Sequence, residues 1–126
     1  MTPIQPPIEL TILHQTATGL SYQHLHIHIT TPDGLIEPSD LKGLTLPDSM
    51  IWSLGVVIEG RAPIWLYGYL VHACHPALWV ACFDPRLGDP VAQSGGAVVV
   101  STHTHTVEVG EVLSVTLPDR LQERNP

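Results

Sequence analysis

The residues best suited to chemistry in this chain come directly after short apolar segments. They are Arg61, Asp84, Arg86 and His103. In open α/β sheets, ligands bind beyond the carboxyl ends of the strands, so residues that follow strands can share one site. Carboxylate and imidazole groups bind divalent ions of the manganese, iron or zinc type, and arginine side chains bind phosphate. The pattern therefore favours a site for a metal ion and a phosphate group.

The elements that must position these residues can be predicted from hydrophobic periodicity. Strands are predicted over 8–13, 23–29, 55–58, 78–83, 97–100 and 111–117, with helices over 37–42 and 63–75. Strand, helix, strand in this order implies a right-handed parallel crossover. We predict one α/β domain over 1–126, with a mixed sheet, a Rossmann-like strand-helix-strand core and antiparallel strands near the amino terminus. Flexible tails are predicted over 1–7 and 119–126, and a loop over 89–96.

His75 does not fit the simplest version of this site. A helix that crosses back over the sheet brings its carboxyl end to the opposite edge. Either the helix is short or bent, or a second subunit completes the site. His72 and His75 would share a helix face and could bind one ion together. His72 taken alone is better explained as a hydrogen-bonded residue at the edge of the core.

Composition restricts the function further. The 126 residues are 44% hydrophobic, which is enough for one compact core, and the formal net charge is −7. Long nucleic acids would be repelled, so a nucleotide substrate must be small. The sequence has neither the roughly 20 apolar residues of a membrane span nor a secretory signal, which predicts a cytoplasmic protein. Cys74 and Cys82 are expected to be free thiols in apolar surroundings.

A collinear series of motifs covers roughly half of the chain. It comprises Glu59-Gly60-Arg61-Ala62-Pro63-Ile64-Trp65-Leu66, His72-x-x-His75, Trp79-Val80-Ala81-Cys82-Phe83-Asp84-Pro85-Arg86-Leu87-Gly88, Ala97-Val98-Val99-Val100-Ser101-Thr102-His103 and Val109-Gly110-Glu111-Val112-Leu113. This series resembles the CRISPR ring nuclease 3 family of type III CRISPR systems. The segments over 60–65 and 84–88 are its most specific parts.

The resemblance implies a manganese-dependent phosphodiesterase that cleaves cyclic tetra-adenylate and ends antiviral signalling. The residues it implies are His75, Asp84 and Arg86 for catalysis, His75, Asp84 and His103 for the metal, and Gly60, Arg61 and Arg86 for the substrate. A symmetric ring favours a symmetric protein, so we expect a homodimer. The resemblance further implies two dimers around the ligand.

Other interpretations remain open for several of these features. Arg86 could pair with a carboxylate of this acidic protein, and Asp84 could belong to a simple strand-ending turn. The alternating histidines His24, His26 and His28 favour a solvated polar strand face outside the site. Two other functions also remain open: a protein that binds or senses cyclic oligoadenylate without cleaving it, and a metal-dependent RNA exonuclease.

Overall fold

A computed structural model describes residues 5–17, 19–88 and 94–118. Its elements are β1 (Ile8–Ala17), β2 (Leu20–Ile29), β3 (Gly55–Glu59), α1 (Ile64–Ala73), β4 (Trp79–Asp84), β5 (Ser94–Thr102) and β6 (Val112–Thr116). The helix predicted over 37–42 is a single 3-10 turn, Pro38–Leu41. The tail predicted over 119–126, most of that over 1–7, and residues 89–93 of the predicted loop lie outside the described residues.

The six strands form one sheet in the order β1-β2-β3-β4-β5-β6. β2, β3 and β4 are parallel to one another, whereas β1, β5 and β6 pair antiparallel with their neighbours. The predicted mixed sheet and parallel strand-helix-strand unit are therefore confirmed. The two outer strands approach one another, so the sheet curls into a half-barrel. A Rossmann-like arrangement is not confirmed, because the described residues are mainly sheet and contain a single α-helix.

Apolar side chains pack on both faces of this sheet. On one face, α1 contributes Leu66 and Leu70 to a core that includes Leu25, Ile27 and Ile58. A second core on the other face surrounds the buried indole of Trp79. It contains Tyr22, Val57, Ala81, Ala97, Val99, Leu113 and Val115. Alternate residues of each strand thus face different cores, which explains the nearly continuous apolar runs of β3 and β4.

The helix is shorter and more exposed than its composition predicts. It ends at Ala73, so His75 lies in the following turn rather than on the helix face with His72. Only Leu66 and Leu70 of α1 are buried, and Ile64 is 87% exposed. The helix therefore covers the sheet with one stripe, which contradicts the expectation of a helix buried nearly all round. No helix in the described ranges has the length and apolar content needed to cross a membrane.

Candidate functional site

Asp84 and Arg86 lie together at the carboxyl end of β4. The Asp84 carboxylate accepts hydrogen bonds from the Arg86 backbone N–H at 3.0 Å, from Nε at 3.0 Å and from Nη2 at 2.8 Å. These bonds from Arg86 lower the pKa of the Asp84 carboxyl. Arg86 thus does pair with a carboxylate, and its side chain is 86% exposed. The pair presents both charges to solvent at this edge of the sheet.

Gly60 and Arg61 follow β3 at the same edge, as predicted. They line a cavity of about 490 Å³ together with His26, Glu59 and other residues at the ends of the parallel strands. Gly60 has a φ of 138°, and a Cβ there would lie 2.5 Å from the carbonyl oxygen of Ile27. Only glycine fits this close approach. The tight turn after β3 therefore brings the Gly60 backbone close to β2 at the wall of the cavity, and the adjacent Arg61 is exposed.

His75 and His103 lie at the opposite edge of the sheet. β5 pairs antiparallel with β4, so its carboxyl end lies beside the start of β4, where His103 N–H bonds to the Leu78 carbonyl at 2.8 Å. His103 Nε2 donates to the His75 carbonyl at 3.1 Å, and the two imidazole centroids are 5.4 Å apart. The expectation that His103 shares an edge with Asp84 is wrong, because β5 runs antiparallel.

The three predicted metal ligands are therefore not brought together within one chain. β4 separates His75 and His103 from Asp84, and its six residues span roughly 17–20 Å at about 3.3 Å per residue. A single ion cannot bridge that distance, because ligand bonds to such ions are about 2 Å long. Within the described residues of one chain, His75 and Asp84 therefore lie in two separate groups at opposite ends of β4.

A third group lies buried inside the half-barrel and includes two of the histidines, His24 and His26, that the sequence predicts on a solvated face outside the site. Glu59 Oε1 accepts hydrogen bonds from His24 Nε2 at 2.8 Å and from His26 Nδ1 at 2.7 Å. His24, His26 and Glu59 are 0%, 4% and 6% exposed. Burial alone would raise the pKa of the Glu59 carboxyl, but the bonds from both histidines lower it to about 2. The expectation of a solvated face is therefore wrong for His24 and His26.

The sequence predicts part of this group, namely the shared strand face of its two histidines, but not their contact with Glu59. Period-two spacing correctly puts His24 and His26 on one face of β2. What the sequence lacks is the pairing of β2 with β3, which sets Glu59 directly beside His26. The side chains within that face then exclude water from both imidazoles. Only the register of two strands distant in sequence turns a polar stripe into a buried cluster.

The two cysteines have no chemical role that their surroundings favour. Both are free thiols, and burial raises the pKa of Cys74 to about 12 and also raises that of Cys82. Because the thiolate is the reactive form, neither side chain is a nucleophile near neutral pH. The prediction of free thiols in apolar surroundings is confirmed.

Comparison with known proteins assigns the chain to a class and then to a family. A profile described as CRISPR-associated protein (Cas_csx3) matches residues 29–114. A protein of Aquifex aeolicus (strain VF5), described as "Uncharacterized protein", is 44% identical over 79 residues, which are 60% of this chain and 65% of the relative. The chain thus covers slightly less than two thirds of that relative. The class is that of CRISPR-associated proteins. Within it, the chain belongs to the Cas_csx3 family.

Proposed function

We propose that this protein is a ring nuclease, a metal-dependent phosphodiesterase that opens cyclic tetra-adenylate and so switches off type III CRISPR signalling. The observation that carries the proposal is the pair of half-sites at the two ends of β4: Asp84 with Arg86 at one end, and His75 with His103 at the other. Membership of a CRISPR-associated family supports the biological setting. Incubation with cyclic tetra-adenylate, with and without manganese, tests it by whether linear product forms.

The two half-sites lie too far apart to act together within one chain, so a complete site needs one half-site from each of two copies. Imidazoles of one copy meeting Asp84 and Arg86 of another would surround a phosphate with the groups needed to cleave it. We therefore propose a homodimer, with two dimers around the ring, since a symmetric ligand suits a symmetric assembly. Ile64, which is 87% exposed, and Trp52, which is 40% exposed, supply apolar surface that a second copy could cover.

The donor set supports a metal only when two copies contribute to it. His103 donates a hydrogen bond through Nε2, so its Nδ1 carries the free lone pair that can bind an ion. His75 and His103 of one copy and Asp84 of another would form an N/O set, which manganese accepts. When bound, the ion would polarise the scissile phosphate. Arg86 would donate its planar fork of N–H groups to the phosphate oxygens.

Metal dependence gives a direct expected result. After removal of divalent ions with excess chelator, cleavage of cyclic tetra-adenylate should disappear, because a chain of net charge −7 has few basic residues to hold four phosphates. Addition of manganese should restore it. Product would be measured by chromatography, with chelator already saturated by manganese as the control. Undiminished turnover in thoroughly chelated protein would contradict the metal requirement.

Arg86→Ala should separate binding from chemistry. We expect ring binding to survive while cleavage falls by about two to three orders of magnitude, the scale expected when one group that stabilises developing charge is lost. Arg86→Lys should rescue it poorly, because an ammonium lacks the planar fork. Calorimetry in calcium measures binding, and single-turnover kinetics in manganese measures cleavage. Arg61→Ala is the matched control, with weaker binding as its main expected effect. Unchanged cleavage in Arg86→Ala would show that Arg86 has no role in cleavage and serves only in its ion pair with Asp84.

One observation favours a second candidate, a protein that binds the ring and leaves it intact. Both oxygens of the Asp84 carboxylate already accept hydrogen bonds from Arg86. An ion or substrate must compete with these bonds before Asp84 can take part in cleavage. The same incubation distinguishes the two functions, because the second candidate would retain cyclic tetra-adenylate unchanged in every metal.

A further inference from the structure

The buried cluster of His24, His26 and Glu59 is not used by the proposed function. We propose that these three side chains bind one divalent ion of the zinc type inside the half-barrel. Two imidazole nitrogens and one carboxylate oxygen form a donor set that suits zinc and similar borderline ions. Calcium and magnesium prefer sets made of oxygen alone, so they fit this cluster poorly.

The geometry of the cluster is close to that of a metal site. One ligand atom from each of the three residues can be chosen so that all lie within 4.8 Å of one another. Tetrahedral coordination with bonds of about 2.0–2.1 Å places neighbouring ligands about 3.4 Å apart. The present contacts of 2.8 Å and 2.7 Å to Glu59 must therefore lengthen by about 0.6 Å, which small side-chain rotations can supply.

Two paired strands hold the three ligands in place. His24 and His26 project from the same face of β2, and Glu59 lies on β3 directly beside His26. A ligand set built on a parallel strand pair is more rigid than one built on loops. The backbone therefore fixes the three directions from which the ligands approach, and only side-chain torsions need to adjust.

Charge compensation supplies an independent argument. Glu59 is a buried carboxylate, and within the described part of the chain its ion-pair partners are the two histidines alone. A buried charge is costly unless an opposite charge is close. A divalent ion would provide that charge. Each ring would bind the ion through the nitrogen that now faces Glu59, and the proton on that nitrogen would move to the other ring nitrogen or be released to solvent. Among the residues that the structure describes, no hydrogen-bond partner faces the buried His24 Nδ1 atom.

The cluster also has a route to solvent. His26 and Glu59 both line the cavity of about 490 Å³ at the carboxyl edge of the parallel strands. An ion can enter from there, and three protein ligands leave a fourth position for water. Two of the ligands precede residue 29, where the match to the family begins. The site shares this cavity with Gly60 and Arg61, but it uses none of the residues of the two half-sites and is not implied by the family match.

The test uses chelator-treated full-length protein carrying His75→Ala and Asp84→Ala, which removes the ligands of the proposed catalytic site. Titration with zinc, followed by calorimetry, should still give one ion per chain. Cobalt should give the visible absorption of a four-coordinate N/O site. Adding Glu59→Gln to this background should weaken zinc binding by more than about 100-fold, since loss of a direct ligand costs at least as much as loss of its support. Adding His72→Ala instead is the control and should change nothing.

The proposed zinc site can be tested even if the Glu59→Gln variant does not fold. Circular dichroism in the absence of metal establishes whether Glu59→Gln keeps the fold, and His26→Asn is the second variant. Zinc should also raise the unfolding temperature of the protein that carries only His75→Ala and Asp84→Ala. This measurement needs no substitution in the cluster. Absence of zinc binding, of the cobalt absorption and of this rise would show a hydrogen-bonded cluster without metal. If the variants with Glu59→Gln and His26→Asn bound zinc as tightly as the background that carries only His75→Ala and Asp84→Ala, the proposed site would likewise be wrong. Neither result depends on cleavage of the ring.

Discussion

Alanine in place of His75 or Asp84 should lower the rate of ring opening by about two orders of magnitude or more, because each removes a group proposed to act directly at the phosphate. The fold should survive, since His75 is exposed and the Asp84 carboxylate bonds, among the described residues, only to Arg86. Asp84→Asn keeps a side-chain oxygen for the Arg86 backbone but removes the charge, and we expect it to be equally inactive. His72→Ala, an exposed neighbour of His75, is the control with normal activity.

Mixing the two inactive variants tests whether the site lies between copies. When the two copies at a contact carry different substitutions, one can supply an intact His75 and the other an intact Asp84. In an equal mixture that assorts at random, about a quarter of all contacts between copies would have both residues intact. Cleavage should therefore reappear on mixing after brief dissociation and reassembly. If His75 and Asp84 acted within one chain, the mixture would stay as inactive as its components. Full activity of Asp84→Asn alone would contradict the role of the charge.

Gly55→Ala should destabilise the protein by about 2–3 kcal/mol or more, the scale of an overpacked core. A Cβ at Gly55 would lie 1.9 Å from Cε2 of Trp79 and 2.2 Å from its Cδ2. Trp79 is 1% exposed and is surrounded by the second core, so the indole has little room to move. Urea unfolding followed by circular dichroism would measure the loss.

Gly68→Ala is the matched control with the opposite sign. Gly68 lies within α1, and a Cβ there would have no atom of the described residues within 4 Å. Alanine loses less backbone entropy than glycine in a helix, so this variant should gain about 0.5–1 kcal/mol. Equal stability of the two variants would show that Trp79 can shift, and that the close approach of β3 and β4 is not fixed by the indole.

Local sequence patterns predicted most of the elements and the topology of the middle of the chain. The apolar run before Glu59, the helix before Pro76 and the next apolar run correctly predicted a parallel β3-α1-β4 unit. Gly60 and Arg61 were correctly expected at the carboxyl edge, because the direction of β3 follows from that unit alone. Patterns of this kind act over a few residues, so the sequence carries them without knowledge of distant contacts.

Strand direction and register beyond that unit could not be predicted in the same way. The valine run over 97–100 predicted a strand but not its direction, so His103 was expected beside Asp84 and instead lies beside His75. An apolar run can pair either parallel or antiparallel, and the choice depends on packing within the curled sheet.

The sequence by itself determined the chemical groups available to this protein, its acidic net charge, and the strands and helix that carry the motifs. Only the tertiary structure decided which groups meet. It separated His75 from Asp84 by the length of β4, joined Asp84 to Arg86, and buried His24 and His26 against Glu59. The physical reason is that side-chain periodicity is local, whereas meeting and burial depend on strand pairing between residues far apart in sequence.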